Sequence, residues 1–216
     1  MSASVCICNN RGGVGKTFAA FQIAAAVATN NPKRKVLAID FSIYSDLSAL
    51  MLGGTAAENP LETSFGLSQA KGVPREKRVE GLLQTLASGR PAGKGLFGAF
   101  RRRAVDLTEY AVRVADHNDQ MPPNVYLIAS AGRDSYDDDT KTLFASDEKK
   151  GDEMAAVLRE AIDALREDFC VAIFDTDHLS GSLLTRLALA AAQSSVVPCP
   201  TDTAEFHRLR EPSGSV

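Results

Sequence analysis

The chain has 216 residues, 44% hydrophobic and 24% charged, with a net charge of −3, a length that suits one α/β domain over residues 1–216 with a sizeable core. That charge balance excludes general basicity toward nucleic acid, so a DNA contact has to come from a local patch, and no apolar run is long enough to span a bilayer. The first strand starts almost at once, so no leader peptide is expected, and Cys6, Cys8, Cys170 and Cys199 lack metal-ligand spacing, so buried, reduced thiols of a cytoplasmic protein are expected.

Ser4-Val-Cys-Ile-Cys8 reads as a strand, and an Ala-rich helix is expected from about Thr17 to Thr29, stopped by Asn30-Asn-Pro32. Between them lies Asn10-Arg-Gly-Gly-Val-Gly-Lys-Thr17. Strand, glycine loop and helix together form the context of a phosphate-binding loop. Gly12, Gly13 and Gly15 let backbone N–H groups converge on an anion with no Cβ in the way. The helix N-terminus near Lys16 adds its partial positive charge, so Gly12 to Phe18, Val14 included, are the expected nucleotide cradle. Lys16 can place an ammonium on the β- and γ-phosphates, and the Thr17 hydroxyl can hold Mg²⁺.

Lys35-Val-Leu-Ala-Ile-Asp40 is a buried strand ending in a carboxylate, at the sheet edge where ligands sit in open α/β folds. A short helix is expected from Asp46 to Leu52, closed by Gly53-Gly54. Residues 55–123 are harder to read. Pro74 to Ala87 has helical spacing, Ser88 to Gly98 is a loop by composition, Arg101-Arg-Arg103 is a solvated face or a phosphate or DNA contact, and Val105 to Asn118 looks helical. Asn124 to Ala129 reads as a strand. Arg133 to Asp147 is acid-rich and expected as an exposed loop, its Asp137-Asp-Asp139 run lacking calcium-loop spacing. Glu153 to Glu167 is a clear amphipathic helix, Phe169 to Phe174 a strand ending in Asp175, Ser182 to Ala192 a helix and Ser194 to Pro198 a strand, with a last helical start after Asp202. This alternation implies a doubly wound, mostly parallel sheet flanked by helices, a Rossmann-like three-layer α/β arrangement. Asp175 is the expected Mg²⁺ carboxylate alongside Thr17, and Asp40 the group expected to polarise the attacking water. His178 is a pH-sensitive or catalytic group or a surface-loop histidine, the second being the expectation.

Three stretches resemble the ParA/MinD group of P-loop ATPases. Arg11-Gly-Gly-Val-Gly-Lys-Thr17 looks like its deviant Walker A motif, Lys-Gly-Gly-x-Gly-Lys-Thr; Lys35 to Ser48 is similar to its second motif; Asp175 to Thr185 resembles its Walker B continuation. Ala188 to Phe206 looks like the strand and helix that follow. The resemblance implies an ATP- and Mg²⁺-dependent switch that forms a nucleotide-sandwich homodimer, hydrolyses ATP slowly and positions DNA or other cargo. For the partition members it also implies non-specific DNA binding and a partner protein that stimulates hydrolysis; no amphipathic membrane helix of the MinD sort is read in the sequence, and no membrane contact is expected. Arg11 stands where the family has a lysine that reaches the partner subunit's phosphates, keeping the charge with a planar fork instead of a point charge. Ser42 and Tyr44 replace a second Asp and a Gln, and Asp177-His178 replaces Pro-Pro. The chain also stops where family members continue, as a shortened member or a fragment would. A nucleotide-gated scaffold without hydrolysis, or a synthetase of the dethiobiotin type, are the rival readings.

Overall fold

The structure, a computed structural model, describes residues 3–53, 63–88, 105–145, 148–165, 168–178 and 182–199. The elements run β1 (Ala3–Ile7), α1 (Lys16–Asn30), β2 (Lys35–Phe41), α2 (Asp46–Gly53), α3 (Thr63–Gly72), α4 (Val79–Ala87), β3 (Val112–Arg113), β4 (Val125–Ile128), α5 (Asp138–Phe144), α6 (Glu148–Ala164), β5 (Phe169–Thr176), α7 (Leu183–Ala191) and β6 (Ser194–Val196). Among the described residues the sheet has six strands in the order β3-β4-β2-β5-β1-β6. Every pairing is parallel except that of β3 with β4.

Strands that are covered on both faces must be continuously apolar, and Val36 to Phe41 are all buried. Alternate residues feed two cores. Cys6, Leu37, Ile39 and Phe174 pack with α4, α6 and α7, where Leu83, Leu158 and Leu184 are fully buried. Ile7, Val36, Ala38 and Ile173 pack on the other face with α1 and α2. The α1 contact is made by Ala20, Ala24 and Ala28, one small residue per turn, which lets that helix lie close to the strands. Each fully buried leucine contributes about 2 kcal/mol of transfer free energy. The result is the expected three-layer, mostly parallel sheet.

Several expectations are corrected. Val105 to Asn118 is not a helix but two 3₁₀ turns, Leu107–Glu109 and Val114–Asp116, flanking the short antiparallel β3. Leu107, Tyr110 and Val114 have helical spacing and are buried, yet Asp106 accepts hydrogen bonds from the Thr108 N–H at 2.9 Å and the Thr108 hydroxyl at 2.6 Å, closing the local turn. Arg133 to Asp147 is not simply a loop. It contains α5, whose N-cap Asp137 accepts from the Thr140 N–H at 2.8 Å. Asp138 and Asp139 sit in the first turn, where negative charge suits the helix dipole, so the three aspartates serve a helix start. Among the described residues no acidic, His or Cys cluster could hold a metal. Cys6 and Cys8 are buried and all four thiols are free, but Cys170 is half-buried and Cys199 exposed. Residues 89–98, the Arg101–Arg103 run and the helical start after Asp202 lie outside the described residues. Among those described, no helix is long and apolar enough to cross a membrane.

Candidate functional site

The loop between β1 and α1 leaves the carboxyl edge of the sheet. Buried Asn9 fastens its base, donating to the Pro198 carbonyl at 2.8 Å and accepting the Arg11 N–H at 2.9 Å. Gly13 and Gly15 have φ of +73° and +86°, which glycine alone adopts without strain. Gly15 is the N-cap of α1 and no side chain caps that helix, so its first N–H groups are left for a ligand. Lys16 is buried and donates its Nζ to the Arg11 carbonyl at 2.9 Å. Burial lowers its pKa, and the nearby Asp175, Asp177 and Cys8 oppose that shift.

A cleft of 350 Å³ opens above this loop. Of the expected cradle, Gly12, Gly13, Gly15, Lys16, Thr17 and Phe18 line it, whereas Val14 does not and Arg11 is exposed beside it. The opposite wall comes from Ser42, Tyr44 and Asp46 after β2, from Thr176 at the end of β5, and from Asp177 and His178 after it. Asp46 and Thr176 were not singled out from the sequence. Their signal was position alone, since one follows and the other ends a strand at the edge that receives ligands. His178 lies in the loop after β5, half-buried: its ring stacks on the exposed Tyr44, with centroids 5.7 Å apart and planes 8° apart, and packs over Gly12. Ser45, with φ of +59°, bends the loop after β2; its hydroxyl donates to Ser130 Oγ at 2.8 Å.

Two buried carboxylates underlie the cleft. Asp175 is fully buried and neither of its oxygens has a hydrogen-bond partner. Burial and the neighbouring Asp40 push its pKa up to about 8, while the Thr17 hydroxyl and Lys16 pull the other way. Asp40, also fully buried, accepts from the Ser42 N–H at 3.1 Å and from the Ser48 N–H and hydroxyl at 2.8 and 2.6 Å. Burial raises its pKa to about 7 despite those bonds. Asp40 thus lies under the cleft and not on its wall, with both oxygens engaged by the loop it supports.

The chemistry of the donor set matches a magnesium nucleotide. Backbone N–H groups and an ammonium face an anion, and a hydroxyl and an unsatisfied carboxylate sit where a hard cation would be held.

The sequence model of a family described as an AAA domain matches residues 2–208. No curated protein matches the chain by sequence. Among solved structures, the chain is similar to a plasmid partition protein from Borrelia burgdorferi bound to AMPPNP, at 17% identity and a TM-score of 0.59, covering 95% of this chain and 66% of that one. It is similar to the septum site-determining protein MinD of Pyrococcus horikoshii with Mg-ADP, at 18% identity and a TM-score of 0.54, covering 96% and 61%. Cobyrinic acid a,c-diamide synthase from Mycobacterium smegmatis, with an ATP analogue and magnesium, is similar at 20% identity and a TM-score of 0.57, covering 96% and 66%. At these identities the likeness establishes a shared fold, that of the P-loop ATPases.

Proposed function

The chain belongs to the AAA-domain family, and on that premise we propose that it is a ParA/MinD-type, Mg-ATP-dependent ATPase switch that partitions or positions cargo. The observation that carries the reading is Asp175: a fully buried carboxylate without a hydrogen-bond partner, next to Lys16 and Thr17 under a glycine cradle. Leaving such a group unsatisfied is costly unless a ligand completes it.

The N–H groups of Gly13 to Thr17 bind the phosphates, and Lys16 exchanges the Arg11 carbonyl for phosphate oxygens. Thr17 and Asp175 hold Mg²⁺, which when bound neutralises charge developing on the phosphates. Asp40 acts by positioning, through the Ser42 and Ser48 N–H groups. Asp46 and Asp177 line the cleft, where a carboxylate can orient water. Arg11 acts across a nucleotide-dependent homodimer. Non-specific DNA and a protein that stimulates hydrolysis are the proposed partners; the neighbouring partition and septum-site proteins support that direction.

One observation favours a second reading. Ser42 stands in place of the family's second aspartate and Asp40 is occupied, as a nucleotide-gated scaffold without turnover would have it. The similarity to the cobyrinic acid synthase keeps a small-molecule synthetase as the third. Steady-state ATP hydrolysis with Mg²⁺, with and without DNA, decides among them, with Lys16→Ala as control. Turnover that disappears in the control supports the ATPase. Bound but unhydrolysed ATP supports the scaffold, and turnover that needs an added carboxylate metabolite supports the synthetase.

A further inference from the structure

A second concavity, of 390 Å³, adjoins the phosphate cleft and falls in the size range of small-molecule sites. The loop after β2 divides the two, Ser42 and Tyr44 lining the phosphate cleft and Ile43, between them, lining the other. One wall of the second cleft is aromatic. Tyr136 and Phe144 stack with ring centroids 5.3 Å apart and planes 19° apart. Ile43 and Leu183 extend that apolar surface.

Among the described residues of the lining the charged groups are both cations, Arg133 and Lys141. The Arg133 backbone N–H donates to the Ile43 carbonyl at 2.9 Å, which fixes its Cα at the rim. Among the described residues its guanidinium has neither an ion pair nor a hydrogen bond, unlike Arg75, Arg78, Arg113 and Arg186, each of which has an acidic partner. Lys141 pairs with Asp138 at 3.5 Å, but both side chains are well exposed and such a pair is weak enough to be exchanged for a ligand. Of the other polar groups in the described lining, the Ser182 hydroxyl is taken up in capping α7, accepting the Thr185 N–H at 3.2 Å, and the Tyr136 hydroxyl is buried. Recognition of a charged group therefore falls to the guanidinium fork, beside an apolar aromatic wall.

We propose that this cleft binds a small aromatic carboxylate, its ring against Tyr136 and Phe144 and its carboxylate on Arg133 with Lys141 beside it. A planar guanidinium matches a carboxylate bidentately. An aromatic ring covers the stacked pair better than an alkyl chain does. The occupant touches the loop that also walls the phosphate cleft, but its binding does not depend on nucleotide chemistry at Lys16.

The test uses naphthalene-2-carboxylate as probe and its neutral counterpart, naphthalene-2-methanol, followed by amide chemical shifts of the full chain. The expected result is saturable one-to-one binding of the carboxylate tighter than about 1 mM, with shifts centred on Ile43, Arg133, Tyr136, Lys141 and Phe144. Arg133→Gln, at an exposed position, should weaken the carboxylate about tenfold, the loss expected for one charge-assisted hydrogen-bonding group, while leaving the weaker binding of the alcohol unchanged. Lys16→Ala should leave both probes unaffected, which separates this site from the nucleotide reading. Non-saturable binding, shifts confined to residues 12–17, or equal affinity of the carboxylate for wild type and Arg133→Gln would each overturn the proposal.

Discussion

The ends of β2 and β5 lie side by side, with Asp40 opposite Asp175 in the ladder. Both carboxyls are fully buried and both have raised pKa values, yet their surroundings treat them differently. Asp40 takes hydrogen bonds from two backbone N–H groups and a hydroxyl of the loop that follows it. Asp175 takes none. A satisfied buried carboxylate organises the chain around itself, whereas an unsatisfied one at a cleft floor is chemistry waiting for a partner. The same residue type at the same register is therefore held by its own loop on one strand and left without a hydrogen-bond partner on the next.

The largest expected effect comes at Lys16, whose charge acts on Asp175. Lys16→Ala should reduce Mg-ATP affinity by at least about a hundredfold, the scale of losing a buried charge-assisted contact to phosphate, as read by titration calorimetry, with the fold intact. Next comes Asp40→Ala, which strands the Ser42 and Ser48 donors in a buried site. It should cost about 3 kcal/mol in urea unfolding. Asp175→Ala removes an uncompensated buried carboxyl and should leave stability unchanged or slightly raised.

The pH dependence of the nucleotide-free protein sharpens the same contrast. Both carboxyls have folded pKa values above the unfolded carboxylate value, so the folded state holds more protons between about pH 4 and pH 8. Stability should therefore fall as pH rises through that window, by at least about 1 kcal/mol. Asp175→Asn should flatten the slope, and Mg-ATP should do so too by taking the ionised form. A flat profile for the wild type would contradict the burial argument. The smallest effect lies away from the strand ends: Ser182→Ala, which removes the α7 cap, should cost about 1 kcal/mol and leave the Asp40 and Asp175 behaviour untouched.

The readable parts of the sequence were those where local pattern and tertiary environment agree. Asn10 to Thr17 declares its loop because its glycines serve backbone geometry, and Lys35 to Asp40 and Phe169 to Asp175 declare buried parallel strands because both faces are apolar. Which of the two aspartates is free was not readable, because it depends on Ser48, eight residues beyond Asp40, returning its hydroxyl and N–H to it. Residues 105–118 misled because Leu107, Tyr110 and Val114 mimic helical spacing while Asp106 and Thr108 close a tighter turn. The acidic run 137–139 hid a helix, since its first residue is a cap and the buried Thr140 and Leu143 beyond it are too few to show a period. The stacking of Tyr44 on His178 joins segments 134 positions apart in the chain, and no local signal reports it.

The most direct test of the central claim is calorimetric titration of ATP into wild type and Asp175→Asn, each with and without Mg²⁺, between pH 6 and pH 9. If Asp175 is the carboxylate that holds the metal, Mg²⁺ tightens ATP binding to the wild type, increasingly so as pH rises, and the variant binds ATP with little response to Mg²⁺. A variant as magnesium-dependent as the wild type would show that Asp175 is a buried strand-end carboxyl like its neighbour, and the account would be wrong.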